Sequence, residues 1–400
     1  MQRVFLVDGR RTPFGKFGGS LRDIRTLDLG AHIVRELVKI TGVKPEWIDE
    51  LFLGTCVPAE VGMVAPVVAR QVALKAGLLE TMPSLTIDRA CCSSLTAVQL
   101  AWRTIRCGEA ELVMTVGTEN LSRVPMAIPQ LRWGSRLGHV VIQDSIFELG
   151  YEGANPVAVD AGEVAIEEGI TREMQDEWAY GSQVKYQAAK KAGKFKEEIV
   201  PYPIPQPKGE PKIFEEDEFP KPDTTLEKLA KLKPVYGSPT VTAGNAPGLD
   251  TGGVANLIAS EKAVEKYGLK PIAEILSVAS AVMPPRNLAR VPAPAIEFAL
   301  RKAEKSLEEL DLIEINEAFA AMPLVSTKLL AKGNEKTLRR LREITNVNGG
   351  AIAIGHPVGA SGGRILLTLA KELKRRGGGL GVCSICGGLA QGDAALIKAI

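Results

Sequence analysis

The stretch Asn346-Val-Asn-Gly-Gly-Ala-Ile-Ala-Ile-Gly-His-Pro-Val-Gly-Ala-Ser-Gly-Gly-Arg364 decides how the rest of the chain is read. Ala351 to Ile354 form a small apolar run, which reads as a short buried strand. His356-Pro357 breaks that run. From Arg364 onward Ile365, Leu366, Leu369 and Leu373 fall on one helical face. His356 is therefore expected in a strand-to-helix turn, near backbone N–H groups that favour negative charge. Only three histidines occur in the chain, at positions 32, 139 and 356. A lone histidine among glycines is ordinarily a satisfied turn residue, but two other unusual stretches offer this imidazole partners.

Towards the N-terminus the chain alternates strand and helix. Arg3–Val7, Ile48–Gly54 and Leu112–Gly117 read as strands, and Leu29–Ile40 and Val64–Ala76 as helices. Asp88-Arg-Ala-Cys-Cys-Ser-Ser-Leu95 is a second break. It leads into a helix with Leu95, Val98, Trp102 and Ile105 at helical spacing. This is an α/β pattern with a largely buried sheet. Residues 121–251 differ: prolines cluster at Pro201-Tyr-Pro-Ile-Pro-Gln-Pro207, lysines recur from Lys185 to Lys233, and helices are separated by irregular polar chain. We read this as an inserted lobe. It divides an N-terminal α/β half (1–120 plus 252–272) from a C-terminal half (273–400). An internal repeat supports two similar halves. Ile48–Gly54 is echoed by Leu310–Asn316, and the Cys91 turn–helix–strand unit (88–117) by the His356 unit (351–385). Equivalent turns from the two halves would then converge on one cavity.

Composition excludes several function classes. With 400 residues, 45% of them hydrophobic, the chain builds a large core, and a net charge of +2 from dispersed residues does not point to nucleic acid. No apolar run reaches membrane-spanning length, and Met1-Gln-Arg-Val-Phe-Leu-Val-Asp enters a strand without a secretory pattern. Six cysteines (56, 91, 92, 107, 383, 386) are too few to staple a chain this long, so a cytoplasmic, reducing location with reactive thiols is expected.

Three polar stretches carry chemistry. Cys91 and Cys92 open a helix, where the backbone dipole would favour thiolate. A buried cysteine is more often an inert small hydrophobe, which suits Cys56 and Cys107, but a Cys-Cys-Ser-Ser turn is a poor core element. Cys383-Ser-Ile-Cys386-Gly-Gly places two more thiols in and just past a buried strand. The spacing admits redox or metal chemistry, and zinc held by residues 91, 92, 383 and 386 is the weaker alternative because vicinal cysteines chelate awkwardly. Asn316-Glu-Ala-Phe follows the strand Leu312–Ile315 and either orients a water or carbonyl or simply caps the next helix.

Taken together, Cys91-Cys-Ser93, Asn316-Glu-Ala-Phe319, Gly355-His-Pro357 and Cys386-Gly-Gly388 resemble the thiolase family, in family order across the whole chain. Arg11-Thr-Pro-Phe-Gly15, Thr242-Ala-Gly-Asn245 and the 223–234 stretch are similar too. The resemblance implies a duplicated, five-layer α/β/α/β/α architecture with an inserted loop domain. It implies acyl transfer between coenzyme A thioesters, by cleavage of 3-ketoacyl-CoA or condensation of two acetyl-CoA. Cys91 would be the acylated nucleophile, His356 its activating base, and Cys386 the acid/base at the α-carbon. His356 with an Asn316-held water would form one oxyanion hole, and the N–H groups of Cys91 and Gly388 the other. Coenzyme A would be substrate, not cofactor, with no metal, and would bind the lobe; Phe319 would line its pantetheine channel. A homodimer or homotetramer is implied.

Departures from the family pattern bear on substrate binding. Pro156-Val157-Ala158 stands where His-Met-Gly is frequent near the acyl pocket, Pro247 where a serine often reaches pantetheine, and Lys221 where an arginine is usual. Two alternatives of other kinds are a ketoacyl-synthase-type enzyme using a carrier protein and a non-catalytic scaffold. Asn316 and Cys386 speak against the first. The intact set Cys91, His356, Asn316 and Cys386 speaks against the second.

Overall fold

The computed structural model describes residues 2–146 and 151–400. Its central sheet has nine strands, numbered here in chain order: β1 (Val4–Arg11), β2 (Glu50–Gly54), β3 (Ser84–Ile87), β4 (Leu112–Asn120), β5 (Thr251–Ser260), β6 (Ala273–Val282), β7 (Leu312–Ile315), β8 (Gly379–Gly387) and β9 (Gln391–Ala399). Their spatial order is β7-β8-β9-β6-β1-β5-β4-β2-β3. Read outward from the centre, both halves repeat one scheme. Strand β1 pairs antiparallel with β5, β5 antiparallel with β4, and β4 parallel with β2. Likewise β6 pairs antiparallel with β9, β9 antiparallel with β8, and β8 parallel with β7. Even β3, parallel to β2, has a vestigial counterpart in the parallel bridge of Ile313 with Thr345. A short pairing of Phe5 and Leu6 with Glu274 and Ala273 joins the halves.

Helices layer this sheet as their apolar faces require. Helices α1 (Thr26–Thr41) and α2 (Val68–Ala76) cover the first half, with Ile33, Leu37 and Val72 against Leu51, Met114 and Leu257. Helix α3 (Ser93–Cys107) and a later helix over Ser361–Arg375 lie between the halves. Leu95, Val98 and Ile105 meet Ile365, Leu366, Leu369 and Leu373, with strand residues Leu6, Ile275 and Ile397 around them. Each such side chain removed from water contributes about 1.5–3 kcal/mol. A helix over Pro292–Lys302 covers the far face, its Ile296 and Leu300 against Val382 and Leu396. The result is the expected α/β/α/β/α succession.

Within 121–251, helices α4 (Val157–Glu167) and α5 (Arg172–Lys191) are the main regular elements. Buried ion pairs tie this region to β1, since Arg11 reaches Asp217 at 2.6 Å and Glu198 at 3.2 Å. Of the longer helices that follow, α6 is Pro292–Lys302, α7 Ala321–Ala331, α8 Glu335–Ile344 and α9 Ser361–Arg375.

Three expectations need correction. Cys107, read as an inert buried thiol, is exposed at the end of α3. Ala351–Ile354 is one helical turn, not a strand. A four-residue apolar run carries no period, and here side chains satisfy the backbone donors: Gly350 N–H bonds Ser182 Oγ at 2.9 Å, and Ile352 N–H bonds Glu317 Oε2 at 3.1 Å. Helix α2 begins at Val68 and not at Val64, because Ala65 and Val67 around Pro66 adopt left-handed φ of 42° and 36°.

Candidate active site

The helices of the middle layer bring the two unusual turns together. A Cβ on Gly362 would lie 2.7 Å from Leu95 N and 2.8 Å from Leu95 Cβ, so only glycine lets the N-termini of α3 and α9 touch. Ahead of α3 the turn Ala90–Cys92 carries Cys91, and ahead of α9 stands His356. Cys91 Sγ lies 3.2 Å from His356 Nε2. On the other side of the ring, Nδ1 lies 2.6 Å from Ser361 Oγ, whose own hydroxyl donates to Pro357 O at 3.0 Å. Ser361 therefore accepts from Nδ1–H, which assigns the tautomer and leaves the Nε2 lone pair facing the thiol.

Electrostatics keep this pair neutral at rest. Burial pushes the Cys91 thiol up to about 12. Burial, and then the Arg364 guanidinium, push His356 down to about 3. The helix-terminal lowering expected for Cys91 is outweighed, because the thiol precedes α3 in a desolvated turn. Strain gathers at the same place. Ala90, Leu389 and Ala390 hold left-handed φ of 49°, 57° and 54°, each at a cost of roughly 1–2 kcal/mol for a non-glycine residue.

The remaining thiols separate by function. Cys383 and Cys386 alternate across β8: Cys383 packs in the middle-layer core and Cys386 in the cluster on the opposite face. They do not form a C-x-x-C pair. Cys386 is buried, and burial together with the nearby Cys91 raises its thiol well above the ordinary value. Cys92 is fully buried, with its thiol 3.4 Å from Ile385 O. Among the described residues no group of three or more His, Cys, Asp or Glu side chains is arranged to hold a metal ion.

Asn316 leaves β7 with its N–H on Ser384 O, two residues before Cys386 on the neighbouring strand. Its side chain caps nothing. Both amide atoms are buried without a hydrogen-bond partner among the described residues, so they are free to orient a bound group. Phe319, Val157 and Ala246, beside Pro247, pack partly buried on the apolar cluster that holds Cys386. Lys221 is exposed, its Nζ 4.8 Å from the centre of the Phe219 ring. Gly388 follows Cys386 at the β8–β9 turn.

Sequence reading missed four residues. Ser361 orients the imidazole, as above. Asp250 accepts the His356 N–H at 2.7 Å. Glu119 accepts from Cys56 N at 2.7 Å, Val57 N at 3.1 Å and Gly359 N at 2.9 Å, clasping the Cys91 half to the His356 turn. Tyr151 stands against Gly388. A carboxylate ending the buried β4, and one directly ahead of β5, were the available signals for Glu119 and Asp250.

Asp250 yields a pH prediction. Burial raises its carboxyl from 3.8 to about 7, and Oδ1 has no hydrogen-bond partner among the described residues. Folding thus favours the protonated form. Its contribution is full below the unfolded value and is lost as pH rises through about 7. Relative to Asp250→Asn, the native protein should lose on the order of 1–3 kcal/mol between pH 5 and pH 8. Urea unfolding of both proteins across that range checks this; a constant gap would assign Asp250 an ordinary titration.

The chain is similar to known proteins over its whole length. Residues 4–262 match the family model described as "Thiolase, N-terminal domain", and 269–399 that described as "Thiolase, C-terminal domain". An acetyl-CoA acetyltransferase of Cupriavidus necator is 44% identical, with all of both chains covered, and one of Pseudomonas aeruginosa is 44% identical over 98% of each. Human mitochondrial 3-ketoacyl-CoA thiolase superposes with a TM-score of 0.93 at 38% identity, covering 100% of this chain and 99% of its own. Its structure in complex with CoA superposes equally well, at 38% identity over 100% of this chain and 98% of its own.

Proposed function

The chain belongs to the thiolase family, and from that premise we propose that it transfers acyl groups between coenzyme A thioesters through an acyl-Cys91 intermediate. Its reaction is thiolytic cleavage of 3-ketoacyl-CoA or, in reverse, condensation of two acetyl-CoA. The observation that carries this reading is the 3.2 Å Cys91–His356 pair, with a single protonatable nitrogen turned to the thiol.

In cleavage, Cys91 Sγ attacks the 3-keto carbon as its proton passes to His356 Nε2. Backbone N–H groups of Cys91 and Gly388 receive the developing oxyanion. The carbon–carbon bond then breaks, leaving acyl-Cys91 and the enolate of acetyl-CoA. Protonated His356 and a water oriented by the free Asn316 amide stabilise that enolate, and Cys386 protonates its carbon. A raised thiol pKa keeps Cys386 supplied with that proton at neutral pH. Return of the His356 proton, through solvent, to the Cys386 thiolate resets both groups. The coenzyme A thiol then gives its proton to His356 as its sulfur takes the acyl group, and His356 passes that proton to the departing Cys91 sulfur. The scheme uses no metal and no resident cofactor. Phe319, Val157 and Pro247 would flank the pantetheine and acyl groups, and Lys221 the nucleotide end.

We place the protein in the cytoplasm as a homo-oligomer acting in fatty-acid metabolism, including β-oxidation. Among the described residues no helix is long and apolar enough to cross a membrane. The oligomer finds support in β3, an edge strand exposing Leu85, and in Val64, 87% exposed ahead of α2. Coenzyme A-dependent loss of the acetoacetyl-CoA magnesium-enolate absorbance tests the activity. Absence of turnover on acetoacetyl-, 3-ketohexanoyl- and 3-ketodecanoyl-CoA alike would overturn it.

A further inference from the structure

Tyr151 takes no part in the scheme above, yet its ring reaches the reacting groups. A Cβ built on Gly388 would fall 1.8 Å from the Tyr151 hydroxyl oxygen and 2.5 Å from Cζ, so the phenol edge occupies the space directly beside Gly388. Gly388 is two residues past Cys386 in the turn that faces Cys91. Burial above all pushes its ionisation upward, and Cys91, Cys56, Asp88 and Cys386 are near enough to add to that. Half-buried tyrosines usually bond through the hydroxyl. Among the described residues this hydroxyl has no hydrogen-bond partner, so packing holds the ring. Val157, by contrast, lies in the apolar cluster on the Cys386 side.

An acyl group on Cys91 whose carbonyl oxygen points at Gly388 N–H would have this ring as a neighbour. We propose that Tyr151 is the chain-length stop of the site: it admits acetyl and acetoacetyl groups and blocks longer 3-ketoacyl chains. The inference rests on the thiolase reading and adds the substrate class to it.

Two variants test the stop. The first readout is kcat/KM for thiolysis of 3-ketodecanoyl-CoA relative to acetoacetyl-CoA. The second is the mass of the acyl-enzyme formed with acetyl-CoA or decanoyl-CoA. Wild type should prefer the short substrate and trap acetyl alone. Tyr151→Ala should raise the long-to-short ratio at least tenfold and accept decanoyl, whereas Tyr151→Phe, which keeps the ring, should stay within about twofold of wild type. Should the alanine variant fail to fold, Tyr151→Val carries the same expectation. An unchanged ratio in the folded variant, or a wild type that already prefers the long chain, overturns the stop while leaving the thiolase reading intact. Loss of all wild-type turnover removes both.

Discussion

Cys91→Ser should lower thiolysis of acetoacetyl-CoA by at least about 10³-fold and leave no acetyl adduct on the protein after incubation with acetyl-CoA. The His356 lone pair would still face the hydroxyl, but an alcohol is a far weaker nucleophile than a thiol, and burial that already pushes the Cys91 thiol to about 12 penalises an alkoxide further. Cys92→Ala is the contrast. Its sulfur faces Ile385 O within the core, so the change should cost about 1 kcal/mol of stability and spare acyl-enzyme formation. Adduct masses of both variants decide the matter. An adduct that survives in Cys91→Ser and disappears in Cys92→Ala would transfer the nucleophile to the neighbouring residue.

Cys386→Ala separates the two halves of the reaction. Acyl transfer to Cys91 needs only His356 and the backbone donors, so exchange of acetyl between acetyl-CoA and labelled coenzyme A should persist. Cleavage and condensation require a proton at the α-carbon and should fall about 10³-fold. Equal loss of exchange and cleavage would instead show Cys386 acting on the acyl-transfer step. A uniform fall in stability cannot imitate the expected split, because both assays use the same folded protein.

Much of this arrangement was legible in the chain. The apolar faces of α3 and α9 read at helical spacing, the repeat of Ile48–Gly54 in Leu310–Asn316 emerged as β2 and β7, and Leu312–Ile315 was placed to the residue. These are long-range periodic signals, or strands ended by polar residues. What failed was local. Ala351–Ile354 was too short to show a period, and its helical turn is imposed by Ser182 and Glu317, which are distant in sequence. The supporting carboxylates Glu119 and Asp250 act through backbone N–H groups contributed by other segments, a relation that no spacing encodes. Tyr151 sits in irregular chain, where neither period nor motif singles it out. The expected dipole effect on Cys91 failed for a different reason, since desolvation is a property of the assembled site.

The short pairing of β1 with β6 has a consequence for how the protein acquires activity. Cys91 and His356 are 265 residues apart and belong to different halves. Each half has strands and covering helices enough to collapse by itself, whereas the base reaches its thiol only after α3 and α9 have docked across the middle. Loop closure over that separation comes late, and chains of this length commonly pass through partly assembled species. Helical content on refolding is thus a poor gauge of success, and turnover marks only molecules whose two halves have met.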